Sequence, residues 1–195
     1  MKKIALLSLV FCSLTLLSFQ IDTIIDYLST GSVLQFENKN YQLAWSSHPN
    51  DTYYKQEYLR ASDNKFETYQ KMLMVEAIKS EISIEQVSNM KLNELNNLKK
   101  TNPMVQFKVE KSLNKDEKVI SFMLSGGKNI LEWNMYRYQQ QQNDKGTYLV
   151  LYAYSYRNYF NTKEDILKFL EYVQTNNSKM TDLINGIRIP KIQVK

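Results

Sequence analysis

Seven side chains in two neighbouring runs carry most of the chemistry this sequence offers: Glu132, Trp133 and Arg137 in one, Tyr152, Tyr154, Tyr156 and Arg157 in the next. Strand alternation sends Glu132, Asn134, Tyr136 and Tyr138 to one face, and Trp133, Met135 and Arg137 to the other. In the second run Tyr148, Val150, Tyr152, Tyr154 and Tyr156 share a face, opposite Leu149, Leu151, Ala153, Ser155 and Arg157. A hairpin of this composition predicts a recognition surface for a protein partner. Tyrosine gives a large contact area with a polar tip at small entropic cost, and arginine is favoured where interfaces concentrate their energy. The same tyrosines can also serve as cross-strand pairs that stabilise a half-exposed sheet. Glu132 beside Arg137 or Arg157 reads as an ion pair. A hydrolase using Glu132 with a tyrosine or arginine is the competing reading, and it requires a deep pocket in which the carboxyl pKa is raised.

Other chemistries lack their residues. One Cys and one His exclude thiolate and histidine-rich metal sites and a disulfide scaffold. His48 follows Ser46 and Ser47 and precedes Pro49, too close in sequence for a nucleophile and base to face one another, and no Gly-x-Ser-x-Gly elbow occurs. Glu57, Glu110 and Glu132 lie on separate runs, so no carboxylate pair converges. Gly126-Gly127-Lys128 leads into a strand, whereas a phosphate-binding glycine loop leads into a helix. The sequence thus yields no catalytic, cofactor-binding or metal-binding residue. Nor does it suggest nucleic acid, because its lysines alternate with glutamates and form no basic stripe.

The elements that must position these residues follow from periodicity and turn chemistry. Ser32 to Phe36 and Tyr41 to Trp45 read as a hairpin around Asn38-Lys39-Asn40, followed by a loop at His48-Pro49-Asn50-Asp51. Tyr53 to Leu59 alternates as a strand. Phe66 to Ile78 fits a strand around Met72-Leu73-Met74-Val75, although Phe66, Tyr69 and Leu73 also match helical spacing. Ser83 and Gln86 form a capping box for a helix from Ile84 to about Lys100, which Asn102-Pro103 stops. Val105 to Leu113, Lys118 to Leu124, Ile130 to Tyr138 and Thr147 to Tyr156 then form a meander. Its turns are Asn114-Lys115-Asp116, Gly126 to Asn129 and Asn143 to Gly146, with Gln139 to Gln142 as a flexible hairpin end. A last helix is capped by Asn161 or Thr162 and carries Ile166, Phe169, Leu170 and Val173 on one face; a restart at Ser178 is open to it, and it is expected to end at Gly186 through a left-handed stop. No internal repeat is evident. The fold expected is α+β: an antiparallel meander of about six to seven strands flanked by two helices.

Met1-Lys2-Lys3 followed by the apolar run Ile4 to Phe19 reads as a signal peptide over residues 1–20, with cleavage near Ser18 to Gln20 and a single domain over 21–195. The run is shorter than the ~20 residues of a spanning helix, so membrane attachment requires that it stay uncleaved. Val10 and Phe11 are too bulky for Cys12 to sit in a lipid-attachment motif. Loss of the signal takes the net charge from +5 to about +3 and removes the one cysteine, which suits an oxidising compartment. The expected location is outside the cytoplasm, periplasmic or secreted.

The order of elements, with Gln56-Glu57-Tyr58-Leu59 before a second strand and the meander from Glu132-Trp133-Asn134 to Arg157, resembles the PsbP-like family of exported small proteins, including the bacterial DcrB type. That resemblance implies an antiparallel sheet with flanking helices used for binding or assembly without catalysis. The function expected is therefore an exported, non-enzymatic binding protein of the bacterial envelope that recognises another protein. An immunity-type inhibitor of an envelope toxin is a specialised version, and a hydrolase or small-molecule-binding protein with a pocket near Glu132 is the alternative.

Overall fold

A computed structural model describes residues 24–195 except 64 and 128; the expected signal peptide, its cleavage site and Cys12 lie outside the described residues. The chain forms β1 (Val33–Phe36), β2 (Lys39–Asn50), β3 (Tyr53–Arg60), β4 (Lys71–Lys79), α1 (Ile84–Lys99), β5 (Gln106–Glu110), β6 (Lys118–Gly126), β7 (Ile130–Asn143), β8 (Gly146–Tyr159) and α2 (Lys163–Gly186). All eight strands join one antiparallel sheet in the order β1-β2-β3-β4-β8-β7-β6-β5. The fold is α+β as expected, with eight strands in place of six to seven. Each half of the chain is a four-stranded meander followed by a helix, a repetition of architecture that the sequence does not display. The halves meet where β4 pairs with β8, and α1 carries the chain from the sheet centre to its far edge at β5.

Local chemistry accounts for these elements and for the departures from expectation. The first turn is Glu37-Asn38, not Asn38 to Asn40, and both residues have positive φ, 50° and 56°, as a two-residue hairpin turn of twisted strands demands. His48 and Pro49 lie within β2 rather than in a loop. The register shifts between Ser47 and Asn50, and β1 covers β2 only as far as Gln42, so Pro49 occupies an irregular edge where no ladder hydrogen bond is required of it. The glutamine run is likewise strand, paired with β8 from Gln139–Val150 to Gln142–Thr147. It is held by its own amides: Gln140 donates to the Ile82 carbonyl at 2.8 Å, and Gln141 donates to the Pro190 carbonyl and accepts from the Ile192 amide, both at 2.9 Å.

The capping box of Ser83 with Gln86 starts α1, and that of Thr162 with Asp165 starts α2. In the latter, hydrogen bonds from the Asn161 and Thr162 amides hold the Asp165 carboxyl below its ordinary pKa. The exit of α2 differs from the expected glycine stop. Gly186 lacks a positive φ and Ile187 is extended; the helix ends instead on the guanidinium of Arg137.

The sheet is the middle of three layers. On one face Trp133, Met135, Tyr152 and Tyr154 pack beneath α2 with Phe169, Met180 and Ile184, extended by Ile189, Ile192 and Val194 of the tail. On the other face Ile120, Phe122, Tyr138, Leu149 and Leu151 pack with Leu95, Val87 and Ile84 of α1. The central strands are therefore apolar on both faces, as a doubly covered sheet requires.

Candidate functional site

The seven candidate surface residues divide between the two faces, and four of them are not surface at all. Trp133, Tyr152 and Tyr154 are fully enclosed and Arg137 is buried, so the expected Tyr/Arg recognition surface is corrected to an aromatic core. The reason is α2: the alternation is as read, but the helix lands on the tyrosine face and covers it. Tyr154 lies edge-on to Trp133 at 6.3 Å, and burial pushes its phenol far above its ordinary pKa. Tyr156 remains half-buried, stacked on Phe169 at 5.7 Å. Glu132 and Arg157 sit directly across β7 and β8 on the opposite face, where Arg157 donates to Glu132 from Nη2 at 2.8 Å and from Nε at 2.9 Å. The Asn134 amide binds the other Glu132 oxygen at 3.1 Å, and the guanidinium lies 4.1 Å over the Tyr69 ring. Glu132 is thus satisfied by structural partners and is not presented as a free acid.

The geometry brings together a different set of residues, at the β5 end of the sheet. β5 pairs with β6 on one side only and is an outermost strand. Register places Gln106, Lys108 and Glu110 opposite Met123, Ser121 and Val119 on the α2 face. Between this face and α2 runs a groove of about 640 Å³, walled by Leu170, Val173 and Gln174 and floored by Met123 and Trp133. A hydrogen-bonded chain crosses it. The Trp133 indole donates to Ser121 Oγ at 3.4 Å, Ser121 donates to Asn177 Oδ1 at 3.0 Å, Asn177 Nδ2 donates to Glu110 at 2.8 Å, and Lys108 Nζ meets the other Glu110 oxygen at 2.8 Å. The polar groups of this chain are each fixed by a neighbour, which gives a mixed apolar and polar surface of the kind that binds by complementarity. A larger hollow of about 740 Å³ lies along the last turns of α2, but α2 and its exit alone line it, so it lacks facing groups that could converge on a ligand.

None of Gln106, Lys108, Ser121 or Asn177 stands out in the sequence, and Glu110 enters there only as a carboxylate without a convergent pair. They meet only because α1 carries the chain to the far edge and α2 returns across it. The one local hint is a charged Lys108 between Phe107 and Val109, the pattern of a guarded edge strand.

A protein-family model matches residues 28–189. The chain belongs to that family. The match begins at Leu28, whose amide donates to Gln56 at 2.8 Å, and ends in the tail after α2, so it takes in all eight strands and both helices. No curated protein and no solved structure matches the chain.

Proposed function

We propose that the protein is an exported, non-enzymatic binding module of the bacterial envelope that holds a protein partner at the β5 edge and the adjoining groove. One observation carries this reading: a strand that is outermost among the described residues borders a groove with a hydrogen-bonded floor. An extended segment added to β5 would gain main-chain hydrogen bonds, while every second side chain would enter the groove beneath α2. Lys108 on that edge discourages pairing between copies of the chain. Export is proposed from Met1-Lys2-Lys3 and the apolar run that follows. Among the described residues no helix is long and apolar enough to cross a membrane. The likeness to PsbP-like proteins rests on element order and lends no residue to the site. The ion-paired Glu132 weighs against the hydrolase reading.

The test is quantitative crosslinked capture from envelope extract. Gln174 is exposed on the groove wall, so Gln174→Trp fills the groove without touching the core. The expected result is one stoichiometric partner held by the wild type and by Lys179→Trp, on the outer side of α2, and lost with Gln174→Trp. A partner retained equally by all three proteins would contradict the placement, and none at all would contradict the function.

A further inference from the structure

The α1 face of the sheet carries a second cavity, separate from the β5 groove and on the opposite side of the sheet. Helix α1 stands over β5, β6 and β7 and leaves a cleft of about 280 Å³ above β4 and β8, with apolar walls from Ile78, Val87 and Leu151. Glu76, Lys91, Glu94, Tyr136 and Tyr138 also line it. The phenols feel the Glu76 carboxylate, and neither has a protein hydrogen-bond partner among the described residues.

The charges around this cleft do not balance. Lys55 Nζ lies 2.9 Å from Glu57 and only 3.8 Å from Glu76, so its closer attachment is to Glu57. Lys91 Nζ is paired with Glu94 at 2.9 Å, while its charge rests 4.7 Å over the Phe122 ring and 5.2 Å over the Tyr136 ring. Three carboxylates thus face two ammonium groups, and the one least compensated is Glu76. Burial raises its carboxyl pKa against the opposing pull of Lys55, a hydrogen bond from Tyr53 and the Lys91 charge, so the cost of enclosing the anion outweighs the partners it has. An anionic molecule would meet Glu76 and Glu94. An ammonium would find the Glu76 carboxylate and two phenol oxygens able to accept, while the Lys91 charge is already answered by Glu94.

We propose that this cleft is a binding site for a small organic cation, an ammonium group on a compact apolar body, with Glu76 as counter-ion and the walls of Ile78, Val87 and Leu151 around the body. The cavity suits a body of about one aromatic ring, and apolar walls with few convergent polar groups are the usual make-up of such sites.

Amide-resolved NMR titration of the purified protein at neutral pH tests this with three probes of one shape: phenethylamine, phenylacetate and 2-phenylethanol. The amine is expected to give saturable shifts around Glu76, Tyr136 and Leu151, with the alcohol weaker and the acid without effect. Glu76→Gln removes the charge at nearly constant shape and is expected to weaken the amine about tenfold, the usual effect of losing a charged hydrogen-bond partner. Val87→Phe fills the cleft, leaves every charge in place and is expected to abolish the shifts, so it decides the matter should Glu76→Gln disturb the fold. No saturable shift with the amine, equal binding of the acid, undiminished affinity in a folded Glu76→Gln variant or any saturable shift in a folded Val87→Phe variant would overturn the proposal.

Discussion

The guanidinium of Arg137 donates to the Ile184 carbonyl at 2.6 Å, tying the middle of β7 to the last turn of α2. The same Nη1 reaches the Asn185 and Ile187 carbonyls at 3.0 and 2.8 Å, and Nε meets Glu117 at 2.7 Å. A helix end leaves carbonyls without partners and carries partial negative charge, and here a cation from the sheet answers both demands. This is why α2 needs no left-handed glycine to stop.

Arg137→Met should be severely destabilising. It strands the buried Glu117 carboxylate and the helix-end carbonyls, and breaking a buried ion pair from one side costs about 3–5 kcal/mol. Arg137→Lys should recover only part of that loss, because an ammonium cannot span the carbonyls and the carboxylate as a planar fork does. Urea denaturation of both variants measures the two values; equal stability of Arg137→Met and the wild type would contradict the capping role.

The tyrosines of the covered face fall into two kinds. Tyr154 and Tyr41 have buried hydroxyls without a hydrogen-bond partner among the described residues, whereas the Tyr58 hydroxyl accepts from Gln56 at 2.6 Å and bonds Gly31 and Thr30. Tyr154→Phe should therefore be neutral or stabilising, and Tyr58→Phe should cost about 1–2 kcal/mol. Tyr154→Ala opens the core beside Trp133 and should cost about 3–5 kcal/mol. Thermal denaturation of the three variants should rank them in that order.

Glu76 makes stability depend on pH in a stated direction. Its carboxyl pKa is raised in the folded state, so folding is favoured below the ordinary carboxylate range and loses that advantage as pH rises through the elevated value. Glu76→Gln should then melt higher than the wild type at pH 7, and the difference should shrink toward zero near pH 4. A variant less stable at pH 7 would show that the Lys55 contact outweighs the burial of the charge. A gain in stability beside a loss of amine binding is the exchange expected of a binding residue.

What the sequence discloses is local, and what it conceals is which faces meet. The capping box of Ser83 with Gln86, the Thr162 cap of α2 and the strand over Met72 to Val75 follow from neighbouring residues, and the structure has them. Alternation also sorted Trp133, Met135 and Arg137 from Glu132, Asn134 and Tyr136 correctly. It could not tell which side of that sheet α2 would cover, because a tyrosine-rich face suits a core as well as an interface until its partner is placed. Pro49 reads as a loop by propensity, yet β1 stops short of it and leaves an edge that tolerates it. The groove depends on contacts between residues far apart in sequence, such as Glu110 with Asn177, and no local pattern announces those.

Site-specific photocrosslinking in intact cells tests the central claim most directly. A photoreactive side chain is placed in turn at Lys108 on the β5 edge and at Gln35 on β1, the opposite edge of the same sheet, where both native residues are exposed. A single discrete adduct from position 108, absent from position 35, is the result predicted for a module that holds its partner by its β5 edge. Adducts of equal yield from both edges, or none from position 108, would contradict it.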